Sequence, residues 1–170
     1  MLARLRHNPV LGKVILRDLN VEPDVPASVV GGVDGAGESG KGEELLDAST
    51  CVVSIDYLIH PLEILSSLRS RTKIGGTVHL VISNRCFPTK AVGRWLRVDE
   101  DERLEMVGDY LWFSGWRDVE IVDVKAADRE GQAERGQGAS QGQSGLQRFM
   151  AQFGLGGEDP LWVVRAKRID

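Results

Sequence analysis

Three short polar runs in this 170-residue chain carry side chains that could bind a ligand or move a proton. They are Asp18–Asn20, Ser54–Tyr57 and Ser83–Lys90, and each follows a segment rich in apolar or β-branched residues. In open α/β sheets, ligands bind beyond the carboxyl ends of the strands. A carboxylate there can accept a hydrogen bond from an amine or a hydroxyl. The three runs are therefore candidate ligand contacts.

Each run also has a purely structural interpretation. Asp18 can close an Asx turn after a strand, and the trio alone favours that turn. Asp56 could position a ligand or act as a base, and Tyr57 could stack on a ring. Ser54 or Asp56 could instead cap the next helix, which is the simpler prediction. Cys86 lies among cationic residues but has no histidine near it in sequence, so we do not expect a nucleophilic thiol.

Apolar spacing predicts the elements that must hold these runs. Lys13–Arg17 predicts a buried strand, and Ser49–Val53 predicts another. A helix is predicted from Pro61, which suits a first helical position, to Lys73–Gly76, where basic residues and a glycine pair end it. Thr77–Ile82 predicts a continuous apolar strand. Strand, helix, strand is a βαβ unit, which implies a parallel sheet with a right-handed crossover.

The last third of the chain predicts a helix and two further strands. Asp99–Phe113 has acidic residues in its first turn, where the helix dipole favours them, and Gly115 ends it. Val119–Val124 and Leu161–Ala166 predict strands without a helix between them, which indicates an antiparallel hairpin at the sheet edge. The predicted fold class is α/β.

Composition excludes several classes of protein. The formal charge of −4 lacks the basic excess of a general nucleic-acid or membrane-surface binder. No stretch approaches the ~20 apolar residues of a membrane span. Two cysteines make neither a disulfide framework nor a zinc site. We expect a soluble single domain in a reducing compartment, the cytoplasm, although Arg4 and Arg6 leave organellar import open.

Glycine-rich stretches at 28–44 and 127–158 predict flexible insertions in this domain of residues 1–170. Gly35–Lys41 fits the G-x-x-x-x-G-K pattern of a nucleotide-binding P-loop. Gly42, however, stands where a hydroxyl should hold Mg²⁺, and the flanking strand and helix signals are weak. A glycine-rich surface insertion is the better interpretation, and Mg²⁺-dependent nucleotide binding lost on Lys41→Ala would contradict it.

The runs SIDYL, PLE, KIGG and SNRCFPTK together resemble class I S-adenosylmethionine-dependent methyltransferases, more narrowly the methyltransferase type 11-like proteins. The resemblance extends from about residue 8 to residue 167 and leaves out the glycine-rich stretches. It implies a seven-stranded doubly wound sheet with an antiparallel last strand, the cofactor S-adenosylmethionine, and methyl transfer to an unidentified small-molecule acceptor. It also implies cofactor contacts at Asp18, Leu19, Thr50, Cys51 and Val52, and acceptor contacts at Asp56, Tyr57, Ser83, Asn84 and Arg85.

The resemblance begins at the family's third strand, Lys13–Arg17. The family's first strand, its glycine-rich loop and the acidic end of its second strand would precede Asn8, where this sequence has seven residues. We therefore expect an incomplete Rossmann-like doubly wound sheet that lacks the first two strands, ends in an antiparallel hairpin, and has impaired activity through truncation. The alternative is a non-catalytic remnant or interaction domain of methyltransferase ancestry.

Overall fold

The computed structural model of the protein describes residues 11–30, 45–125 and 160–170. Two helices and four strands form its regular structure, with short 3-10 turns at Ala27–Val30 and Ile55–Tyr57. In chain order they are β1 (Leu46–Val52), α1 (Pro61–Ser70), β2 (Thr72–Ser83), α2 (Glu100–Phe113), β3 (Arg117–Asp123) and β4 (Leu161–Lys167).

The four strands form one mixed sheet in the order β1-β2-β4-β3. β1 and β2 are parallel and joined through α1, as the βαβ prediction requires. β4 runs antiparallel to both of its neighbours, β2 and β3. The predicted α/β class and the C-terminal hairpin are confirmed, and the open sheet is consistent with part of a Rossmann-like fold.

Local sequence signals fix the ends of both helices. Pro61 occupies the start of α1, where its missing N–H costs no helical hydrogen bond. Asp99 and Glu102 form a capping box at the start of α2, each side chain accepting from the backbone N–H of the other residue. α2 ends before Gly115, whose φ of 94° lies in the region that glycine adopts without strain.

Both helices pack on the same face of the sheet. β2 and β4 direct alternate side chains into this core, among them Leu80 and Val164, which are 1% and 0% exposed. Leu65 from α1 and Leu111 from α2 belong to the same cluster. Trp116 is fully buried there, and its Nε1–H donates to the Leu65 carbonyl at 3.1 Å, so one side chain joins the sheet to α1.

The opposite face of the sheet carries a row of four valines in register. Val52 pairs with Val81, Val81 with Val163, and Val163 with Val122, so the row crosses all four strands. The two outer members, Val52 and Val122, are 58% and 36% exposed. This valine row contrasts with the near-complete burial on the helix side.

Two predictions about the bounds of strands and helices are wrong. Lys13–Arg17 is exposed and forms no strand, because no strand of the described chain lies beside it to pair with its backbone. Gly75 and Gly76 do not end α1 but lie inside β2, opposite a register shift in β1. α1 ends at Ser70, two residues before β2 begins, so the chain turns back without a separate glycine stop.

Other predictions fall largely outside the described residues. The glycine-rich stretch 127–158 does so entirely, as does the P-loop-like run Gly35–Lys41. The stretch 28–44 is described only at residues 28–30, which belong to a 3-10 turn. No helix in the described ranges combines the length and apolar character needed to cross a membrane.

Candidate functional site

The carboxyl ends of β1 and β2 lie side by side, so the runs that follow them are neighbours. The Val53 N–H donates to the Val81 carbonyl at 2.9 Å, which continues the pairing one residue beyond β1. The chain then enters the Ile55–Tyr57 turn, while β2 continues to Ser83. The segments after β1 and β2, where the sequence predicts ligand contacts, therefore begin side by side at one edge of the sheet.

Asp18 forms the Asx turn that its sequence favours. One carboxylate oxygen accepts from the Asn20 N–H at 2.9 Å. The Asp18 carbonyl accepts from the N–H groups of Val21 and Glu22 at 3.2 and 3.0 Å. Residues 18–22 are thus held together by bonds within the turn, although the preceding strand is absent.

The side chain of Asn20 fixes this turn to the end of β1. Its Nδ2 donates to the Tyr57 carbonyl at 3.0 Å, and its Oδ1 accepts from the Ile59 N–H at 2.9 Å. Leu19, beside it, lines an open groove of about 420 Å³ together with Leu58 and Leu16. The first candidate run therefore lies against the second.

Tyr57 links the second run to the third. Its hydroxyl accepts from the Phe87 N–H at 2.9 Å, and the two rings lie 6.4 Å apart between centroids. Lys90 Nζ lies 5.7 Å from the centre of the Phe87 ring, within range of a cation–π contact. The hydrogen bond from the Phe87 N–H lowers the pKa of Tyr57 and is the largest single effect. Burial and the neighbouring Asp56 together outweigh it, so the pKa of Tyr57 is raised.

Asp56 is a buried carboxyl group, 3% exposed. Burial raises its pKa, while its own backbone N–H and the neighbouring Tyr57 hydroxyl lower it in part. Its Oδ2 has no hydrogen-bond partner among the described residues. The Asp56 carbonyl accepts from the Val92 N–H at 2.9 Å, which fixes this residue to the loop after β2.

Neither Ser54 nor Asp56 caps α1, so that prediction is wrong. The Ser54 hydroxyl donates back to the Val52 carbonyl at 2.8 Å, and its side chain makes no capping bond to the 3-10 turn. α1 begins five residues after Asp56, and the residue at its N-cap, His60, makes no side-chain capping bond. Asp56 and Tyr57 belong to the 3-10 turn that precedes α1, not to α1 itself.

The three predicted contacts in β1 do not share a face. Cys51 packs against the helix-side core, whereas Thr50 and Val52 are exposed on the other face. Burial raises the pKa of the Cys51 thiol and the nearby Asp56 carboxyl raises it further, against the lowering effect of the Ser54 N–H. Cys51 and Asp56 are therefore electrostatic neighbours, with the thiol held in its neutral form.

Ser83 is the last residue of β2, and Asn84 and Arg85 begin the loop that follows it. The Ser83 hydroxyl accepts from the Arg85 N–H at 3.2 Å. Ser83 and Asn84 line a small cavity with Glu100 and Trp162. The Trp162 Nε1–H is buried and has no hydrogen-bond partner among the described residues.

The site as a whole has three joined parts. The turn at residues 18–22 and the groove beside it lie on one side, the Asp56–Tyr57 turn lies in the centre, and the loop from Ser83 to Lys90 lies on the other. The groove combines leucine side chains with the charged groups of Arg17 and Asp18. No group of three potential metal ligands occurs within residues 11–30, 45–125 and 160–170.

No protein-family model and no curated protein matches the chain. Solved structures similar to it include phosphoethanolamine N-methyltransferase 2 of Haemonchus contortus in complex with S-adenosyl-L-methionine, at TM-score 0.41 and 14% identity. The same enzyme in complex with phosphomonomethylethanolamine and S-adenosylhomocysteine is similar at TM-score 0.40 and 13% identity. Each comparison covers 73% of this chain but only 33% of that enzyme.

A third similar structure is StiE O-MT, at TM-score 0.36 and 13% identity, covering 77% of this chain and 46% of that one. The chain thus spans less than half the length of these structures. At such identities and overlaps the likeness identifies neither activity nor substrate. The fold assignment rests on the strand order of the chain itself.

The roles that three residues have in the site are not indicated by the sequence. Asn20 reads as part of a turn, and its bonds to Tyr57 and Ile59 span 37 and 39 residues. Phe87 contributes a backbone N–H, which every residue except proline carries. Trp162 reads as packing, and its buried Nε1 has no partner among the described residues, as is also true of Trp95. Long-range bonds of this kind leave no local signal.

Proposed function

We propose that this chain is an S-adenosylmethionine-dependent methyltransferase-like protein whose acceptor is a small molecule. The observation that carries the proposal is the placement of β4, which lies between β2 and β3 and runs antiparallel to both. An antiparallel last strand in an otherwise parallel sheet is what the sequence resemblance implies. The polar runs Asp18–Asn20, Ser54–Tyr57 and Ser83–Lys90 also lie side by side at the carboxyl edge of that sheet, where ligands of such sheets bind.

The described residues near the groove fit parts of the cofactor. Leu19 and Leu58 provide apolar contact for an adenine ring, and Asp18 provides an acceptor for its exocyclic amine. Cys51 is a candidate contact for the methionine part, at the junction with the Asp56 turn. Thr50 and Val52 remain candidates on the other face. When bound, S-adenosylmethionine supplies a methyl group on a sulfonium centre.

The acceptor side of the proposal involves the Asp56–Tyr57 turn and the loop Ser83–Arg85. These groups would orient the acceptor in line with the methyl group, and positioning alone provides large rate enhancements. The acceptor itself is unidentified. The SNRCFPTK run supports the finer assignment to the type 11-like group, and the weakly acidic charge supports a small-molecule acceptor rather than nucleic acid or a membrane. Cytoplasmic location is part of the same proposal.

The test is calorimetric titration of S-adenosylhomocysteine into the folded 170-residue chain. Saturable binding that weakens in Asp18→Ala supports the proposal. The matched control is Asp109→Ala, which removes an exposed carboxylate from α2 and should leave the affinity unchanged. Equal weakening in both variants would assign the effect to net charge.

The valine row favours a second candidate, a non-catalytic interaction domain of methyltransferase ancestry. Apolar side chains in register across an exposed sheet face are typical of a surface that another layer covers. This candidate predicts that the folded chain does not bind S-adenosylhomocysteine. Saturable binding would exclude it as the sole function.

A further inference from the structure

We infer that Asn20 is a positioning residue for the cofactor side of the site, an inference that rests on the proposed function. Asn20 uses both ends of its side-chain amide, donating to the Tyr57 carbonyl at 3.0 Å and accepting from the Ile59 N–H at 2.9 Å. The bond to Tyr57 is partly buried. An amide bonded at both ends to main chain fixes distance and orientation together.

The turn that Asn20 holds is internally bonded, so the position of Asn20 determines that of Asp18. The Asp18 carboxylate accepts from the Asn20 N–H at 2.9 Å, and its carbonyl accepts twice from the following residues. No backbone-to-backbone hydrogen bond joins Lys13–Arg17 to any other described residue. The side chains of Lys13 and Arg17 donate to the Ser28 and Glu22 carbonyls, which belong to the same N-terminal segment. Asn20 therefore provides the fixed point through which Asp18 and Leu19 are placed against the end of β1.

The attachment point is the segment that also holds the acceptor side. The Tyr57 hydroxyl accepts from the Phe87 N–H at 2.9 Å, and the Asp56 carbonyl accepts from the Val92 N–H at 2.9 Å. Residues 56–59 therefore bond the cofactor-side turn through Asn20. They bond the acceptor-side loop through other hydrogen bonds, those to Phe87 and Val92. A change at Asn20 is expected to move only the cofactor side.

The chemistry of the amide is needed at both ends. Asn20→Ala removes the donor and the acceptor together. Asn20→Asp keeps an acceptor for the Ile59 N–H but replaces the donor facing the Tyr57 carbonyl with a second carboxylate oxygen, which repels it. Both variants should release the turn, and neither alters Asp18 or Leu19 themselves.

A matched control is Ser67, whose hydroxyl also anchors the N-terminal segment. The Ser67 hydroxyl of α1 accepts from the Val25 N–H at 2.8 Å and bonds the Asp24 carboxylate. Ser67→Ala loosens the segment four to five residues from Asn20 without touching the turn. This variant therefore distinguishes an effect on the position of Asp18 from an effect of loosening the whole N-terminal segment.

The experiment measures S-adenosylhomocysteine affinity by calorimetry and stability by urea unfolding on the wild-type chain and these three variants. We expect Asn20→Ala and Asn20→Asp to weaken binding by about tenfold or more, since two hydrogen bonds are lost, while Ser67→Ala changes it less than about twofold. Hydrogen exchange should rise at residues 18–22 in the Asn20 variants alone.

Three results would overturn the inference, and they are distinguishable. Wild-type binding with unchanged affinity in both Asn20 variants rejects the positioning role and leaves the proposed function intact. Equal weakening in Ser67→Ala rejects it too, because general anchoring then accounts for the effect. A folded wild-type chain that does not bind rejects the proposed function and the inference with it.

Discussion

The hydroxyl oxygen of Tyr57 lies 2.9 Å from the backbone nitrogen of Phe87, 30 residues further along the chain. This bond joins the segments that leave two adjacent parallel strands, and the rings of the two residues lie side by side. The loop after β2 is therefore fixed to the turn after β1 at the edge where the candidate site lies.

Tyr57→Phe should loosen this loop while leaving the core intact. The ring remains, but the Phe87 N–H loses its acceptor, and one hydrogen bond is worth about 1 kcal/mol of unfolding free energy. Hydrogen exchange should accelerate at Phe87. Tyr110→Phe is the control, because the Tyr110 hydroxyl makes no hydrogen bond within the described chain, and it should change stability by less than about 0.5 kcal/mol. Equal effects of the two variants would argue against the bond.

The free energy of unfolding should fall as pH rises, because the buried Asp56 carboxyl group loses its proton. Burial raises its pKa above the ordinary value of 3.8, so the folded chain keeps this proton to a higher pH than the unfolded chain. The stabilisation is complete below the unfolded pKa and is lost as pH rises through the folded pKa. Asn cannot ionise, so Asp56→Asn should gain stability relative to wild type from about pH 4 upward.

Urea unfolding at a series of pH values measures that difference directly. Asp109→Asn serves as the control, since Asp109 is exposed on α2. Its stability should parallel that of the wild-type chain across the series. A difference between Asp56→Asn and wild type that does not grow with pH would show that the Asp56 proton is not linked to folding.

Gly76 should tolerate no side chain where β2 passes β1. A Cβ at this position would lie 2.6 Å from the Thr72 methyl carbon and 2.9 Å from the Asp47 carbonyl oxygen, closer than real contacts allow. Gly76→Ala is expected to cost about 1–3 kcal/mol, as overpacking does. Gly93→Ala meets only the Arg97 side chain at 3.6 Å and should be nearly neutral. Thermal unfolding of the two variants compares them, and similar midpoints would contradict this packing.

The two helices could be predicted because the signals at their ends are local. Pro61, the acidic first turn after Asp99 and Gly115 each act on the backbone within a few residues, and the structure confirms the helices that begin or end beside them. Lys13–Arg17 failed for the opposite reason. A strand exists only where a second strand accepts its hydrogen bonds, and β-branched composition alone does not supply that partner.

The site could be predicted in outline but not in its connections. The sequence indicates Asp18, Asp56 and Tyr57 because polar residues follow apolar runs. It does not indicate that Asn20 bonds residues 37 and 39 positions away. The valine row is equally hidden, because it depends on the register of three strand pairs. Both features arise from tertiary placement rather than from local pattern.

The most direct test of the central claim is calorimetric titration of S-adenosylhomocysteine into the purified chain, after circular dichroism has established that it is folded. The account predicts saturable binding that weakens on Asp18→Ala, as expected for a methyltransferase-like cofactor site at the end of β1. Absence of heat from a folded chain would contradict that claim, and the methyltransferase resemblance would then describe ancestry rather than activity.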